Sequence, residues 1–282
     1  MDIWRAVWLT QFIMVFIFNA FTLVVFARGG HLRRRNTYLM MNLIVADLLI
    51  AAISGPENIL LLKASKRSKK GFGVLYLIIS DMCWIASLVN LVIISLERLH
   101  ATLYPFRHCL VGKRIYCKII IFSWFGSLTL ACGLQIIRMK DSPLAGRYPW
   151  TIYVFLTLAV LTTSYVIIIS KFITKPHVQQ LGSVISAERK LSVTLFIVSA
   201  ASTISLLPFA VVPCILISSD CDKWIEFTPY RIALAFYYLN SILNPVIYAI
   251  RLPKFRRALR ELFCKNTWYP VREDQPIELQ AM

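Results

Sequence analysis

Asn244-Pro245-Val246-Ile247-Tyr248 sets an amide, a helix-bending proline and a phenol within five residues, near the end of the last apolar stretch of the chain. Other polar groups also stand inside apolar stretches. Asp47 lies in the second, the Glu97-Arg98 pair at the end of the third, and Trp124 in the fourth. Ionisable groups are costly in hydrocarbon, and where they occur there they carry function by default. A carboxylate placed like Asp47 must be protonated, paired or bound to a cation. Oxygen-bearing partners stand in three other stretches: Asn19, Ser87, Asn240, Ser241 and Asn244. Asn240 and Asn244 are four residues apart and share a helix face. One carboxylate with hydroxyl and amide oxygens is a hard-oxygen set suited to sodium. The same residues also suit a hydrogen-bond network that ties helices together, and the sequence leaves both readings open. Arg98 adjoins Glu97, and Glu188 stands at the inner end of the sixth stretch. An arginine between two carboxylates at a membrane boundary can act as a two-state lock, the alternative being an ordinary interfacial ion pair.

The elements that position these groups follow from composition. The chain has 282 residues, 58% hydrophobic and 16% charged, with a net charge of +17. Its mean hydropathy is +0.65. Soluble domains carry about 25% charge, so this chain belongs in a bilayer. Seven apolar stretches are long enough to cross one, near 4–27, 37–62, 73–98, 115–137, 149–171, 187–216 and 227–250. Each is expected to be helical, because lipid offers the backbone no other hydrogen-bond partner. The fold class is therefore all-α, a single seven-transmembrane helix bundle over 1–282.

After Tyr248, Leu252, Phe255, Leu259, Leu262 and Phe263 recur at helical spacing with bases between them. That predicts an amphipathic helix over 252–263 on the membrane surface, followed by a tail over 264–282. Cys264 is a palmitoylation candidate, with a free thiol as the alternative.

Basic residues set the orientation. With the amino terminus outside, the inner segments hold groups of four, five, four and seven, which is 20 of the 31, and the outer side holds 11. Lys63, Lys66, Arg67, Lys69 and Lys70 all fall outside, as a solvated loop or a rim attractive to anions. The bases are spread over every loop, which excludes a nucleic-acid-binding domain. No inverted repeat or pair of broken helices points to a transporter.

Taken in order, these features resemble a rhodopsin-like G-protein-coupled receptor over nearly the whole chain. The matching residues are Asn19, the run Leu43-Ile44-Val45-Ala46-Asp47-Leu48-Leu49, Ser87, Glu97-Arg98-Leu99-His100-Ala101, Tyr104-Pro105-Phe106, Trp124, Tyr165, Pro208 and Asn244-Pro245-Val246-Ile247-Tyr248. The resemblance implies a non-enzymatic plasma-membrane receptor for an extracellular ligand, with a heterotrimeric G protein and membrane lipids as partners. It makes Arg98 the switch residue, flanked by Glu97 and Glu188 and approached by Tyr165 and Tyr248. Within the hard-oxygen set described above, Asp47 and Ser87 are the candidate sodium ligands, and no other cofactor is expected.

The chain departs from the family pattern in several places. Gly73 replaces the usual third-span cysteine and the loop 138–149 has none, so the common outer bridge is absent. Cys214 and Cys221 are the remaining candidates for an outer disulfide, with two free thiols as the alternative. Thr157 replaces a proline, Leu206 a tryptophan and Ser202 a phenylalanine. A non-signalling decoy is one consequence to weigh. These absences are similar to the branch holding melanocortin, cannabinoid, lysophospholipid and adenosine-like receptors.

Glu57 and Asp81 lie in the outer halves of their spans, about 15 Å above Asp47 and about 25 Å above Arg98. With Trp84, Phe209 and Tyr238 they form a candidate pocket for a cationic amine, a peptide or a lipid. The amine-receptor pattern sets its acid one residue earlier, at Ser80, and one residue turns a helical side chain by about 100°. No Lys lies between Lys223 and Lys254, so a retinal Schiff base is excluded.

Overall fold

The computed structural model describes residues 3–29, 37–54, 73–139, 147–174, 182–217 and 228–263, and their regular structure is helical throughout. In chain order the helices are α1 (Ile3–Arg28), α2 (Thr37–Leu49, continued by a π-helical segment Ile50–Ser54), α3 (Gly73–Leu103), α4 (Pro105–Leu110), α5 (Lys113–Met139), α6 (Arg147–Thr174), α7 (Gly182–Ile217), α8 (Thr228–Arg251) and α9 (Pro253–Phe263). The spans are α1, α2 with its π segment, α3, α5, α6, α7 and α8. All but α7 contain a described stretch long and apolar enough to cross hydrocarbon. The apolar part of α7 is Phe196–Val212.

The bundle is arranged for lipid rather than water. On α5, Phe122 and Phe125 are 73% and 70% exposed, while Asn19, Asp47 and Arg98 are fully buried. Lipid supplies no hydrophobic drive between helices, so polar groups and close packing hold them. One such group joins three helices. Asn42 Nδ2 donates to Asn90 Oδ1 (2.6 Å), and Trp124 Nε1 donates to Asn42 Oδ1 (2.9 Å). This fixes α2 and α5 to α3, and it explains why an indole sits in the fourth span.

The third and sixth spans are each five residues longer at their inner ends than the sequence expectation, the sixth starting at Gly182 rather than at 187. The third span runs five residues past Arg98, to Leu103. Nothing breaks it before Pro105, which disfavours helix at Tyr104 just ahead of it. Pro105 then opens α4, a short helix the sequence did not announce; its proline needs no N–H at that position. The described second span ends at Ser54, and positions 55–62 lie outside the described residues.

The amphipathic helix occupies Pro253–Phe263, close to the predicted 252–263. Phe255 and Ala258 are buried while Arg256, Arg257 and Arg260 are exposed. Phe26 of α1 meets both Tyr248 (6.2 Å between ring centroids) and Phe255 (5.3 Å), which folds α9 back against the bundle.

Candidate functional site

Four helices build the polar cluster around Asp47. Pro245 has no N–H, so the carbonyl of Ser241, four residues back, loses its intrahelical donor. Asn19 Nδ2 of α1 fills that place at 3.0 Å and also donates to Val15 O. The Ser241 hydroxyl donates to Asp47 Oδ1 (2.9 Å), as does that of Ser87 (2.8 Å). Asn244 Nδ2 donates to the other carboxylate oxygen (3.1 Å). α3 and α8 thus converge on the carboxylate of α2, and α1 joins the cluster through the backbone carbonyl of Ser241. The predicted members Asn19, Asp47, Ser87, Ser241 and Asn244 are linked directly, and Asn240 is buried on the same helix. The amide oxygens of Asn19, Asn240 and Asn244 are buried without a hydrogen-bond partner among the described residues.

At the inner end of α3, Arg98 is fully buried and makes two bonds to Glu97, Nε to Oε2 and Nη2 to Oε1. Glu97 Oε1 also accepts from Tyr116 Oη of α5 (3.1 Å), and His108 Nε2 of α4 lies 3.3 Å from it. His108 Nδ1 in turn meets His100 Nδ1 at 3.4 Å. The sequence reading missed Tyr116, His108 and His100. The signal available was Pro105, whose helix start carries His108 back over the end of α3. Tyr165 packs on Phe196 (5.5 Å) and Tyr248 on Phe26; the Tyr248 hydroxyl is buried without a hydrogen-bond partner among the described residues. The side chain of Glu188 lies outside the described residues, so its place opposite Arg98 stays an expectation from sequence.

The outer half is lined with rings. Trp84 stacks on Tyr237 (4.2 Å, 26°) and meets Tyr238 edge-on (5.1 Å, 66°). Phe209 of α7 lies 5.0 Å from Tyr237 and 6.5 Å from Trp84. Trp84 Nε1 donates to Ser54 Oγ (2.7 Å), which shares a second bond with Ser80 (2.8 Å). Trp84, Phe209, Tyr237 and Tyr238 are therefore together, four aromatic side chains that the sequence offers as walls, with Ser54 added. Asp81 is directed elsewhere: its Oδ2 accepts from Gln135 Nε2 (2.6 Å) and Arg138 Nη1 (2.7 Å), both on α5. Cys214 is a free thiol whose Sγ lies 3.5 Å from Ala210 O. Glu57, Cys221 and Cys264 lie outside the described residues.

The sequence matches the model of the 7 transmembrane receptor (rhodopsin family) over residues 18–143 and 130–248. The chain belongs to this family. Curated relatives agree at low identity. Trace amine-associated receptor 4 of Mus musculus is 24% identical, covering 88% of this chain and 81% of that protein. Somatostatin receptor type 1 of Rattus norvegicus is 22% identical, covering 93% and 72%. Melanopsin of Podarcis siculus is 26% identical, covering 86% and 58%. The protein is thus a rhodopsin-like G-protein-coupled receptor and a multi-pass membrane protein, and its family is one of receptors rather than enzymes.

Proposed function

We propose that this receptor sits in the plasma membrane with its amino terminus outside, binds an extracellular ligand among the outer rings, and catalyses nucleotide exchange on a heterotrimeric G protein at its inner face. The observation that carries the reading is the buried Arg98 held by Glu97 at the inner end of α3. A guanidinium held by a neighbouring carboxylate is a closed lock. Releasing it exposes a charged donor where a partner helix would dock. The Asp47 cluster lies between the outer rings and this node and touches four helices, so it is placed to couple the two ends. The intact Glu97-Arg98 node argues against a decoy. The excess of basic residues on the inner segments supports the orientation. The test is exchange on purified G protein by the receptor in nanodiscs, with ion flux in liposomes as the control for a transporter. Flux without exchange would reverse the reading.

We further propose sodium as the resident ion of the Asp47 cluster. One carboxylate, two hydroxyls and three amide oxygens without hydrogen-bond partners among the described residues suit a small hard cation. Asp47, Ser87 and the neighbouring amides would hold it, and its charge would bias the packing of α8 against α2 and α3. Replacing choline chloride by sodium chloride is expected to raise the thermal midpoint of wild type and to leave Asp47→Asn unchanged. At sodium tenfold above its dissociation constant the gain is about 1.4 kcal/mol. Equal responses of the two proteins would rule the ion out.

A further inference from the structure

We infer that His100 and His108, at the inner end of α3, hold one divalent transition-metal ion of the zinc class. Resting on the receptor reading above, the ion also acts on exchange by drawing Glu97 away from Arg98. The two histidines stand eight residues apart, which is about 12 Å along an unbroken helix. They meet because the backbone turns at Tyr104 (φ −130°, ψ 63°) ahead of Pro105. The turn is fixed by Tyr104 N–H donating to His100 O and His108 N–H donating to Tyr104 O, both at 2.9 Å. The ring centroids are 5.6 Å apart and the two Nδ1 atoms 3.4 Å apart, so the nitrogen corners face each other. Both rings are half-buried.

A proton shared between nitrogens 3.4 Å apart makes a long hydrogen bond, since good N–H donors lie within about 3.2 Å of their acceptors. A tetrahedral zinc ion with bonds of about 2.0–2.1 Å sets two nitrogens about 3.3–3.4 Å apart. The separation in this pair is therefore the one that the ion needs. A second observation lies across the His108 ring. With a metal on Nδ1 the remaining proton is on Nε2, and Nε2 is 3.3 Å from Glu97 Oε1. A metal-bound imidazole donates its other N–H to a carboxylate in this way, which fixes its tautomer and orientation. Among the described residues no third His, Cys, Asp or Glu joins the pair in a metal-holding group. Two imidazoles suffice for an exchangeable ion with water in its other positions, and imidazole favours zinc over magnesium or calcium. The charge of the ion strengthens the His108 donor, which then competes with Arg98 for the Glu97 carboxylate.

The test titrates zinc chloride into full-length receptor in nanodiscs by calorimetry, with cobalt(II) chloride as the spectroscopic probe. Wild type is expected to bind one ion and to give the visible bands of tetrahedral cobalt. His100→Gln and His108→Gln are each expected to weaken binding by at least about 10-fold, the loss that removal of even an outer-shell partner brings. Glu97→Gln, which removes that partner, is expected to weaken it by about 10-fold. Cys109 and Cys117 are exposed thiols of the same face, so Cys109→Ser and Cys117→Ser are made as well and are expected to keep the affinity of wild type. Equal affinities of wild type and both histidine variants would overturn the inference. So would a thiolate-to-cobalt charge-transfer band that disappears in Cys109→Ser. The wild-type cobalt spectrum needs no variant to fold.

Nucleotide exchange on the same preparations, with G protein alone as the blank, separates the two levels. Zinc is expected to raise exchange by wild type at least about 5-fold, the lower end of ordinary coupling between sites, and to leave His100→Gln unresponsive. Bound zinc without a change in exchange overturns its coupling to the Glu97–Arg98 node. Exchange absent with and without zinc, beside intact zinc binding, sinks the receptor reading alone.

Discussion

Trp84→Ala is expected to destabilise the receptor by about 3 kcal/mol. In water-soluble cores, removal of a large aromatic side chain costs about 3–5 kcal/mol. Between membrane helices the transfer contribution is small, because lipid is as apolar as the protein interior. The packing loss remains. Trp84 touches Tyr237, Tyr238, Phe209 and Trp150, and its indole N–H is bonded to Ser54, so truncation opens a cavity at a meeting point of five spans. Trp84→Phe keeps the stack and forfeits the hydrogen bond, so it should cost about 1 kcal/mol. Thermal midpoints of the two variants in nanodiscs decide this. Equal losses would assign the stability to the hydrogen bond and remove the rings from the account. The ring system also bears on Leu206, buried where the family carries a tryptophan. An indole is still present at the centre of the bundle, but α3 supplies it.

Asp47→Leu is expected to cost about 2–4 kcal/mol and to lower the yield of folded receptor. Three donors lose their acceptor at once: Ser87 Oγ, Ser241 Oγ and Asn244 Nδ2. At the average of about 0.6 kcal/mol measured for interhelical bonds in membranes, the loss would be about 2 kcal/mol. At the full penalty of about 1–3 kcal/mol for each buried unmatched group it would reach several kcal/mol. The lower part of that range applies because serine hydroxyls can turn to carbonyls of their own helix. Ser202 and Ser205 already do so on α7. Asp47→Asn keeps an acceptor and should cost no more than half as much in stability while losing the response to sodium. Chemical denaturation or thermal shift of the three proteins side by side checks the order. A leucine variant as stable as wild type would show that the cluster is not what joins these helices.

The features legible in the sequence were those fixed by chain-local physics. Span number followed from apolar length, and the Asp47 cluster followed from polar residues placed at matching depths in four spans. Asn19 was legible as a member, but its task was not. Its bond to the carbonyl released by Pro245 depends on how close α1 packs to α8. The node at Arg98 was half legible. Glu97 adjoins it in sequence, whereas Tyr116 and His108 reach it only because α4 turns back after Pro105. Asp81 depended on rotation. One residue's difference in register turns a side chain by about 100°, which is enough to exchange the bundle interior for α5. No count of spacing within α3 alone gives that angle, because neighbouring helices set it. The π segment that delivers Ser54 to Trp84 was likewise not readable, since it changes helical phase without a proline or glycine inside it.

The central claim is that the buried Glu97–Arg98 node controls a productive inner face. It is tested most directly by nucleotide exchange on purified heterotrimeric G protein, catalysed by wild type, Glu97→Gln and Arg98→Ala at equal amounts of folded receptor in nanodiscs. The account predicts that Glu97→Gln exceeds wild type, because its arginine is no longer held by a charge, and that Arg98→Ala falls below wild type by at least about 10-fold. Exchange by Arg98→Ala equal to that of wild type would contradict it.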